Sequence, residues 1–166
     1  FSAAQRAVEE GARAIVISDI HAGRLEAAME KLTEETGLAE GIQLEEQIVS
    51  VARDGDLLII GPNCMGPYCP SSHLTAWGAI PGLSGSIGII SQSGGLTQRL
   101  TEYLYYLGIG VAWAVSAGNG TVLTPTDYLE AMAEDDSVEV IAMYLESVTD
   151  GRRLLRIVKQ ANLRKP

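Results

Sequence analysis

Short apolar runs alternate along the chain with segments whose apolar positions recur every three or four residues. The runs are nearly continuous in Ala, Val, Ile and Leu, which is typical of strands covered on both faces. The segments between them have the period of amphipathic helices. This alternation predicts an α/β fold built on parallel sheets. The predicted strands are Ala14–Ser18, Leu57–Ile60, Ile87–Ser91, Val111–Val115 and Val138–Leu145.

The predicted helices carry apolar stripes and recognisable ends. The clearest stripe stops at Gly108, a natural C-terminal cap. Residues 124–127 (Thr-Pro-Thr-Asp) have the cap, the proline and the acidic first turn of a helix start, and Asp150 is placed to cap a last helix. The stripes are Leu25, Ala28, Met29 and Leu32; Leu44, Ile48, Val51 and Ala52; Leu96, Leu100, Tyr103, Leu104 and Leu107; and Leu154, Leu155, Val158 and Ala161.

The segment 61–85 divides this pattern in two. It holds all but two of the six prolines and no helical stripe, so we predict a connection between two α/β units. The chain opens on a predicted helix over residues 3–10 and closes on Lys165-Pro166, where a parallel fold would enter its next strand. We therefore expect a fragment of a longer protein.

Composition and charge narrow the function classes. The chain has 166 residues, 46% hydrophobic and 20% charged, which is enough apolar sequence for a real core. A net charge of −9 argues against binding nucleic acid, whose phosphates would be repelled. No apolar run approaches the ~20 residues of a membrane helix, and no signal peptide is visible, so we expect a cytoplasmic protein. With two cysteines and two histidines, neither a disulfide framework nor a metal site is predicted.

Three predicted strand ends carry candidate chemistry, because ligands of parallel sheets collect at the carboxyl ends of the strands. In the first, Ser93, Gly94 and Gly95 open a helix, so their amides and the helix dipole could cradle a phosphate. The alternative is an ordinary helix cap with a tight turn, and the spacing alone leaves both open.

The second and third strand ends are also open to two interpretations. Asn63 and Cys64 follow one strand and could lie against a ligand such as a thioester, or form a structural turn with an inert buried cysteine. Glu146 follows another strand and could orient an imidazole, or could be solvated or paired with Arg152 or Arg153. His21 and His73, in polar loops, are weak candidates for a catalytic base.

Taken together, these residues resemble the nucleoside-diphosphate-forming acyl-CoA synthetases, the superfamily of succinyl-CoA synthetase α chains and ADP-forming acetyl-CoA synthetases. Four stretches match the family's motifs in the family's order over nearly the whole chain, except the region from Asp19 to about Thr36. They are Gly61-Pro62-Asn63-Cys64-Met65-Gly66, Gly88-Ile89-Ile90-Ser91-Gln92-Ser93-Gly94, Val115-Ser116-Ala117-Gly118-Asn119 and the stretch from Ile141 to Gly151.

The resemblance implies a two-part architecture and a reaction. Residues 1–81 would be the C-terminal part of a Rossmann-like CoA-binding domain, and residues 82–166 most of a flavodoxin-like domain. The family converts acyl-CoA, ADP and phosphate into a carboxylic acid, CoA and ATP through an acyl phosphate and a phosphohistidine. ATP or ADP and Mg would bind to an ATP-grasp domain or β subunit outside this chain, in an oligomer. The alternatives are a non-catalytic acyl-CoA-binding or regulatory module and an assembly surface.

The resemblance also implies roles for individual residues. Ser93, Gly94 and Gly95 would bind the phosphoryl group, and Glu146 would orient the histidine. Ser18, Asn63 and Cys64 would contact CoA or the acyl group, and Gly118 and Asn119 would lie in an active-site loop. Neither His21 nor His73 matches the family's nucleophilic histidine, which lies beyond Pro166 in the family pattern, so residues 1–166 alone should be inactive.

Overall fold

The computed structural model describes residues 14–18, 38–77 and 82–166. The predicted helix over 3–10, the stripe from Leu25 to Leu32, and His21 lie outside these residues. The described chain confirms the α/β fold class. Its elements are β1 (Ala14–Ser18), α1 (Leu38–Asp54), β2 (Leu58–Cys64), β3 (Gly66–Cys69), a 3₁₀ turn (Pro70–Ser72), β4 (Leu74–Thr75), β5 (Ser84–Ser91), α2 (Gly94–Tyr106), β6 (Val111–Ser116), α3 (Pro125–Glu134), β7 (Val140–Tyr144) and α4 (Gly151–Ala161).

The strands form two sheets. β1 and β2 pair in parallel, and Ser18 at the end of β1 lies opposite Cys64. The second sheet has the order β4-β3-β6-β5-β7, in which β5 is parallel to both β6 and β7, while β3 is antiparallel to β6 and to β4. The carboxyl ends of β5, β6 and β7 therefore share one edge, which is where ligands of such sheets bind.

The segment 61–85 contains more regular structure than its sequence predicted. β2 extends through Cys64, and β3 and β4 add two short antiparallel strands to the edge of the larger sheet. Strands of two to four residues interrupted by proline carry no readable alternation, which explains why the pattern did not reveal them. The division into a domain ending near residue 81 and a second domain stays a prediction.

Helices cover both faces of the five-stranded sheet. Successive side chains of a strand point to opposite faces, and Ile89 and Ile90 of β5, each at most 1% exposed, do so. Ile89 packs in a cluster with Leu100 and Leu104 of α2. Ile90 belongs to a cluster that includes α3 and α4. The layers are thus α2, the sheet, and α3 with α4.

The buried face of α2 differs from the predicted stripe. Leu100 and Leu104 pack inward as expected, but Tyr103 is 60% exposed and Leu107 54% exposed, and Leu96 is exposed too. Thr97 and Thr101 take the buried positions instead. The prediction was therefore correct about the helical period but wrong about which face of α2 is buried.

The predicted helix ends are confirmed. Gly108 has φ +71°, and its amide and that of Ile109 donate to the carbonyls of Tyr105 and Leu104, which is the Schellman pattern. At the start of α3, Asp127 Oδ2 accepts from both the amide and the hydroxyl of Thr124, each at 2.7 Å. Asp150 Oδ1 accepts from the Arg153 amide at 2.9 Å. In the part of the chain that the structure describes, no helix is both long and apolar enough to cross a membrane.

Asp127 also ties α3 to α4 and makes stability depend on pH. Burial acts to raise the pKa of Asp127, but bonds from Thr124 and the Arg153 guanidinium, 2.6 Å away, outweigh it, and the pKa lies below its usual value. A lowered pKa contributes stability that is complete above the unfolded value and is lost as pH falls through the folded one. We expect Asp127→Asn to lower the free energy of unfolding by about 1 kcal/mol at pH 7.

Denaturant unfolding of both proteins between pH 7 and pH 2 checks this expectation. The difference between wild type and Asp127→Asn should shrink as the pH falls below about 4, since protonated Asp and Asn then resemble each other. A constant difference over that range would mean that the charge of Asp127 contributes nothing.

Candidate functional site

Three of the predicted strand-end motifs meet at the carboxyl edge of the larger sheet. The amide of Met65, in the turn after β2, donates to Ser116 Oγ at the end of β6, at 3.1 Å. Gly94, the first residue of α2, packs against both, since a Cβ there would lie 2.8 Å from Met65 Cγ and 3.5 Å from Ser116 Oγ. Motifs separated by more than twenty residues in sequence thus form one surface.

The start of α2 presents free backbone donors. Ser93 caps the helix, with its Oγ accepting from the Leu96 amide at 3.3 Å. The Ser93 amide is used, because it donates to Ser91 Oγ at 3.1 Å. Within the described residues, the amides of Gly94 and Gly95 donate to no acceptor, and the space beside Gly95 is open. The anion seat, defined as these two amides, is smaller than the predicted set of three.

Glu146 follows β7 on the same edge. Its carboxylate is exposed and, among residues 14–18, 38–77 and 82–166, makes no hydrogen bond or ion pair. The suggested pairing with Arg153 does not occur, because that guanidinium binds Asp127 and Glu130 instead. The backbone of Glu146 is held firmly, since its amide donates to Gln92 Oε1 at 2.6 Å. The backbone of Glu146 is therefore held in place, while its carboxylate is available to a ligand or another residue.

The loop after β6 runs beside β2 and joins the two sheets. The amides of Asn119, Thr121 and Leu123 donate to the carbonyls of Pro62, Gly61 and Ile59, at 3.0 to 3.1 Å. Gly118, with φ +57°, lies so close that a Cβ there would overlap the carbonyl oxygens of Pro62 and Asn63. The loop thus requires glycine at this position.

Side chains continue this junction at the surface. Asn63, exposed and in the left-handed region with φ 55°, donates through Nδ2 to Asn119 Oδ1 at 3.2 Å. Asn119 Nδ2 in turn donates to Glu45 Oε1 on α1 at 2.6 Å. Predicted residues of two different motifs are thereby brought together beside the turn after β2.

Cys64 faces inward, unlike its neighbour Asn63. Its side chain is 4% exposed, and Sγ lies 3.7 Å from the Ile60 carbonyl oxygen. Burial raises the pKa of the Cys64 thiol to about 11, so it stays protonated at neutral pH. This geometry favours the structural interpretation of Cys64 over a reactive one.

Comparison with known proteins identifies the chain. Residues 84–166 match the model of the succinyl-CoA ligase-like flavodoxin domain. That segment is half of the chain and contains the anion seat, the loop after β6 and Glu146. The chain belongs to this family. The prediction of a flavodoxin-like second part is confirmed, and so is membership of the NDP-forming acyl-CoA synthetase superfamily; the Rossmann-like first part stays a prediction.

Individual relatives place the chain within that superfamily. An ADP-forming acetate–CoA ligase I of Archaeoglobus fulgidus is 37% identical over 128 residues, which are 76% of this chain and 19% of that protein. The α subunit of an ADP-forming acetate–CoA ligase I of Pyrococcus furiosus is 35% identical over 76% of this chain and 28% of its own length. The chain thus spans 19% to 28% of the length of these relatives.

A solved structure supports the same relationship. The acetyl-coenzyme A synthetase 1 of Ca. Korarchaeum cryptofilum, in complex with phosphate and ADP, superposes with a TM-score of 0.78 at 29% identity. The match covers 99% of this chain and 33% of that one. The arrangement of β2, the larger sheet and its helices is therefore shared with an enzyme of the superfamily.

The remaining candidate residues have clear positions in the family's fold. Ser18 ends β1 opposite Cys64, and its side chain is outside what the structure describes. His73 follows the 3₁₀ turn after β3. Because β3 runs antiparallel to β6, His73 lies at the amino edge of the sheet, opposite the anion seat. Gln92, to which the sequence analysis gave no role, lies within the second motif, and its side chain bonds to the loops after β6 and β7.

Proposed function

We propose that this chain is part of an NDP-forming acyl-CoA synthetase that works through a phosphohistidine. Phosphate would displace CoA from acyl-CoA to give acyl phosphate, the phosphoryl group would pass to a histidine with release of the carboxylate, and then to ADP to give ATP. The observation that carries this proposal is the anion seat at the carboxyl edge of β5. Relatives named as ADP-forming CoA ligases support the reaction class.

The anion seat suits a phosphoryl group physically. Two unpaired amides at a helix start carry the positive end of the helix dipole, equivalent to about half an elementary charge. Ser93 leaves them unobstructed because its side chain caps the Leu96 amide instead. Open space beside Gly95 admits a ligand without displacing a side chain. A transferred phosphoryl group would rest here between its donor and acceptor.

Glu146 would serve the histidine that carries the phosphoryl group. A carboxylate that accepts the N–H of one imidazole nitrogen selects the tautomer in which the other nitrogen is the nucleophile. The exposed and unengaged carboxylate of Glu146 is ready to accept such a bond, and the fixed backbone beneath it restricts its position. The histidine itself would come from outside the described residues.

CoA would approach from the side of β2. Asn63 and Asn119 offer exposed amide groups for the pantetheine chain, and Ser18 lies at the neighbouring strand end. Cys64 would support the turn from beneath rather than touch the thiol, since it is buried. ATP or ADP with Mg would bind an ATP-grasp domain or β subunit, which makes the cytoplasmic enzyme an assembly of several domains or chains.

A proline at residue 94 tests the anion seat. Proline is accepted at the first position of a helix and has no N–H, and the backbone of Ser93 (φ −92°, ψ 116°) is compatible with a following proline. We expect Gly94→Pro in the intact protein to weaken phosphate binding about 10-fold or more, since a bond to a charged group contributes about 1.5–3 kcal/mol. Calorimetry with inorganic phosphate measures it.

Gly94→Ala is the matched control for this test. It makes the same close contact with Cγ and Sδ of the Met65 side chain, but it keeps the amide. Phosphate affinity should therefore stay within about 3-fold of wild type. Equal weakening in both variants would assign the effect to the Met65 contact, and no weakening in either would remove the anion seat as the basis of the proposed function.

A further inference from the structure

Gln92 is buried at the point where the three loops of the carboxyl edge converge. It follows β5 directly, precedes the cap of α2, and is 9% exposed. Its backbone amide continues the pairing of β5 with β7 by donating to the Tyr144 carbonyl, at 3.1 Å. The proposed mechanism assigns it no role, although no other side chain described here bonds to all the neighbouring loops.

The side-chain amide of Gln92 is used at both ends. Oε1 accepts from the backbone amides of Glu146 at 2.6 Å and Ser147 at 2.9 Å. Nε2 donates to Ser147 Oγ at 3.1 Å and to the Gly118 carbonyl at 3.4 Å. Two backbone donors on one atom require an acceptor there, so the orientation of the amide follows from its partners.

This arrangement connects the anion seat to the carboxylate beside it. Gln92 is covalently next to Ser93, which caps α2, and it holds the backbone of Glu146 through a short hydrogen bond. The exposed loop that carries Glu146 has few other restraints, since residues 146–150 are all exposed. Gln92 therefore sets where the base of Glu146 lies relative to the two free amides.

We propose that Gln92 is a positioning residue for phosphoryl transfer, acting through the backbone of Glu146 and the Gly118 carbonyl. This inference rests on the proposed function, because it concerns the same site. Gln92 touches neither the phosphoryl group nor the histidine. Its contribution is to hold the Glu146 carboxylate at a fixed position relative to the anion seat. A displacement of about 1 Å between reacting groups can lower a rate on the order of 10²-fold.

The test is a double-mutant cycle in the intact protein. Gln92→Leu removes both ends of the amide and should slow phosphohistidine formation roughly 10- to 50-fold, with phosphate affinity within about 3-fold of wild type. In a Glu146→Gln background the same change should cost less than about 3-fold, because the group it positions is already lost. The readout is the rate of acid-labile labelling from radioactive phosphate plus acyl-CoA.

Matched variants separate positioning from folding. Gln98→Leu makes the same exchange on α2, where Nε2 bonds only Glu102 among the residues that the structure describes, and should leave the rate unchanged. Gln92→Asn keeps a polar group but shortens its reach, and should slow the reaction about as much as Gln92→Leu. Gln92→Asn replaces Gln92→Leu in the double-mutant cycle if the leucine variant does not fold. If neither variant folds, Gln92 is structural and the proposal is wrong.

The other outcomes are equally decisive. If the losses from Gln92→Leu and Glu146→Gln multiply, Gln92 does not act through Glu146, which overturns the inference. A rate unchanged by Gln92→Leu while Glu146→Gln is slow has the same consequence. If Glu146→Gln alone leaves phosphohistidine formation unchanged, the proposed function fails first, and that result is distinguishable from a failure at Gln92.

Discussion

Replacement of Glu146 by glutamine is expected to slow phosphohistidine formation by about 10²-fold or more in the intact protein. This is the scale of losing a positioned group that assists proton movement in the transition state. Glutamine keeps the size of the side chain and the backbone bond to Gln92, so the loop should stay in place. What is lost is the negative charge that would orient an imidazole and stabilise its charged form.

The measurement is the pre-steady-state rate of acid-labile phosphorylation with saturating phosphate and acyl-CoA. Glu134→Gln is the matched control, because this glutamate is also exposed but lies at the far end of α3. Its rate should match that of wild type. A Glu146→Gln enzyme that is phosphorylated as fast as the control would show that the carboxylate has no part in the transfer.

Gly118→Ala is expected to lower the free energy of unfolding by about 3 kcal/mol or more. The added methyl group would meet the backbone oxygens of Pro62 and Asn63, which cannot rotate away as a side chain would. The φ of +57° adds strain for any residue with a Cβ. Relief requires the loop after β6 to separate from β2, with loss of main-chain hydrogen bonds.

Chemical denaturation of the variant and of Gly95→Ala gives a direct comparison. Gly95 lies in the first turn of α2, and no atom of the described part of the chain lies within 4 Å of an added Cβ. Alanine there should raise stability by about 0.5–1 kcal/mol, because it restricts the unfolded chain and favours the helix. Two glycine-to-alanine changes in one domain should thus act in opposite directions. Similar effects from both would contradict the close contact at Gly118.

The sequence predicted the elements of this fold better than their orientation. Continuous apolar runs located β1, β5, β6 and β7 to within a few residues, since covered parallel strands leave a strong signal. On α2 the signal was misleading, because the buried positions are Thr97 and Thr101. Their hydroxyls donate to carbonyls one turn earlier, at 2.7 and 3.0 Å, and so enter the core with their donors satisfied. A pattern of hydrophobic residues cannot predict that these hydrogen bonds allow threonine to be buried.

At the site, the sequence identified which segments meet but not how their atoms are used. Glycine-rich strand ends indicated the start of α2 and the loop containing Gly118, because backbone approach needs glycine. The Ser93 amide donates to Ser91 Oγ, which depends on the rotamer of Ser91, so the spacing of residues could not predict it. The role of Gln92 was missed for a similar reason, since the sequence of its motif does not show which groups its side chain reaches in the loops after β6 and β7.

The hydrogen bonds from the amides of residues 119, 121 and 123 to carbonyls of β2 fix the position of the smaller sheet relative to the larger one. Because these bonds join main-chain atoms, the separation between β2 and the loop after β6 does not depend on which side chains line the gap. Under the proposed function, the same bonds would hold the CoA side of the site at a constant distance from the anion seat. Substitution of the exposed side chains of Asn63 and Asn119 should therefore leave that separation unchanged.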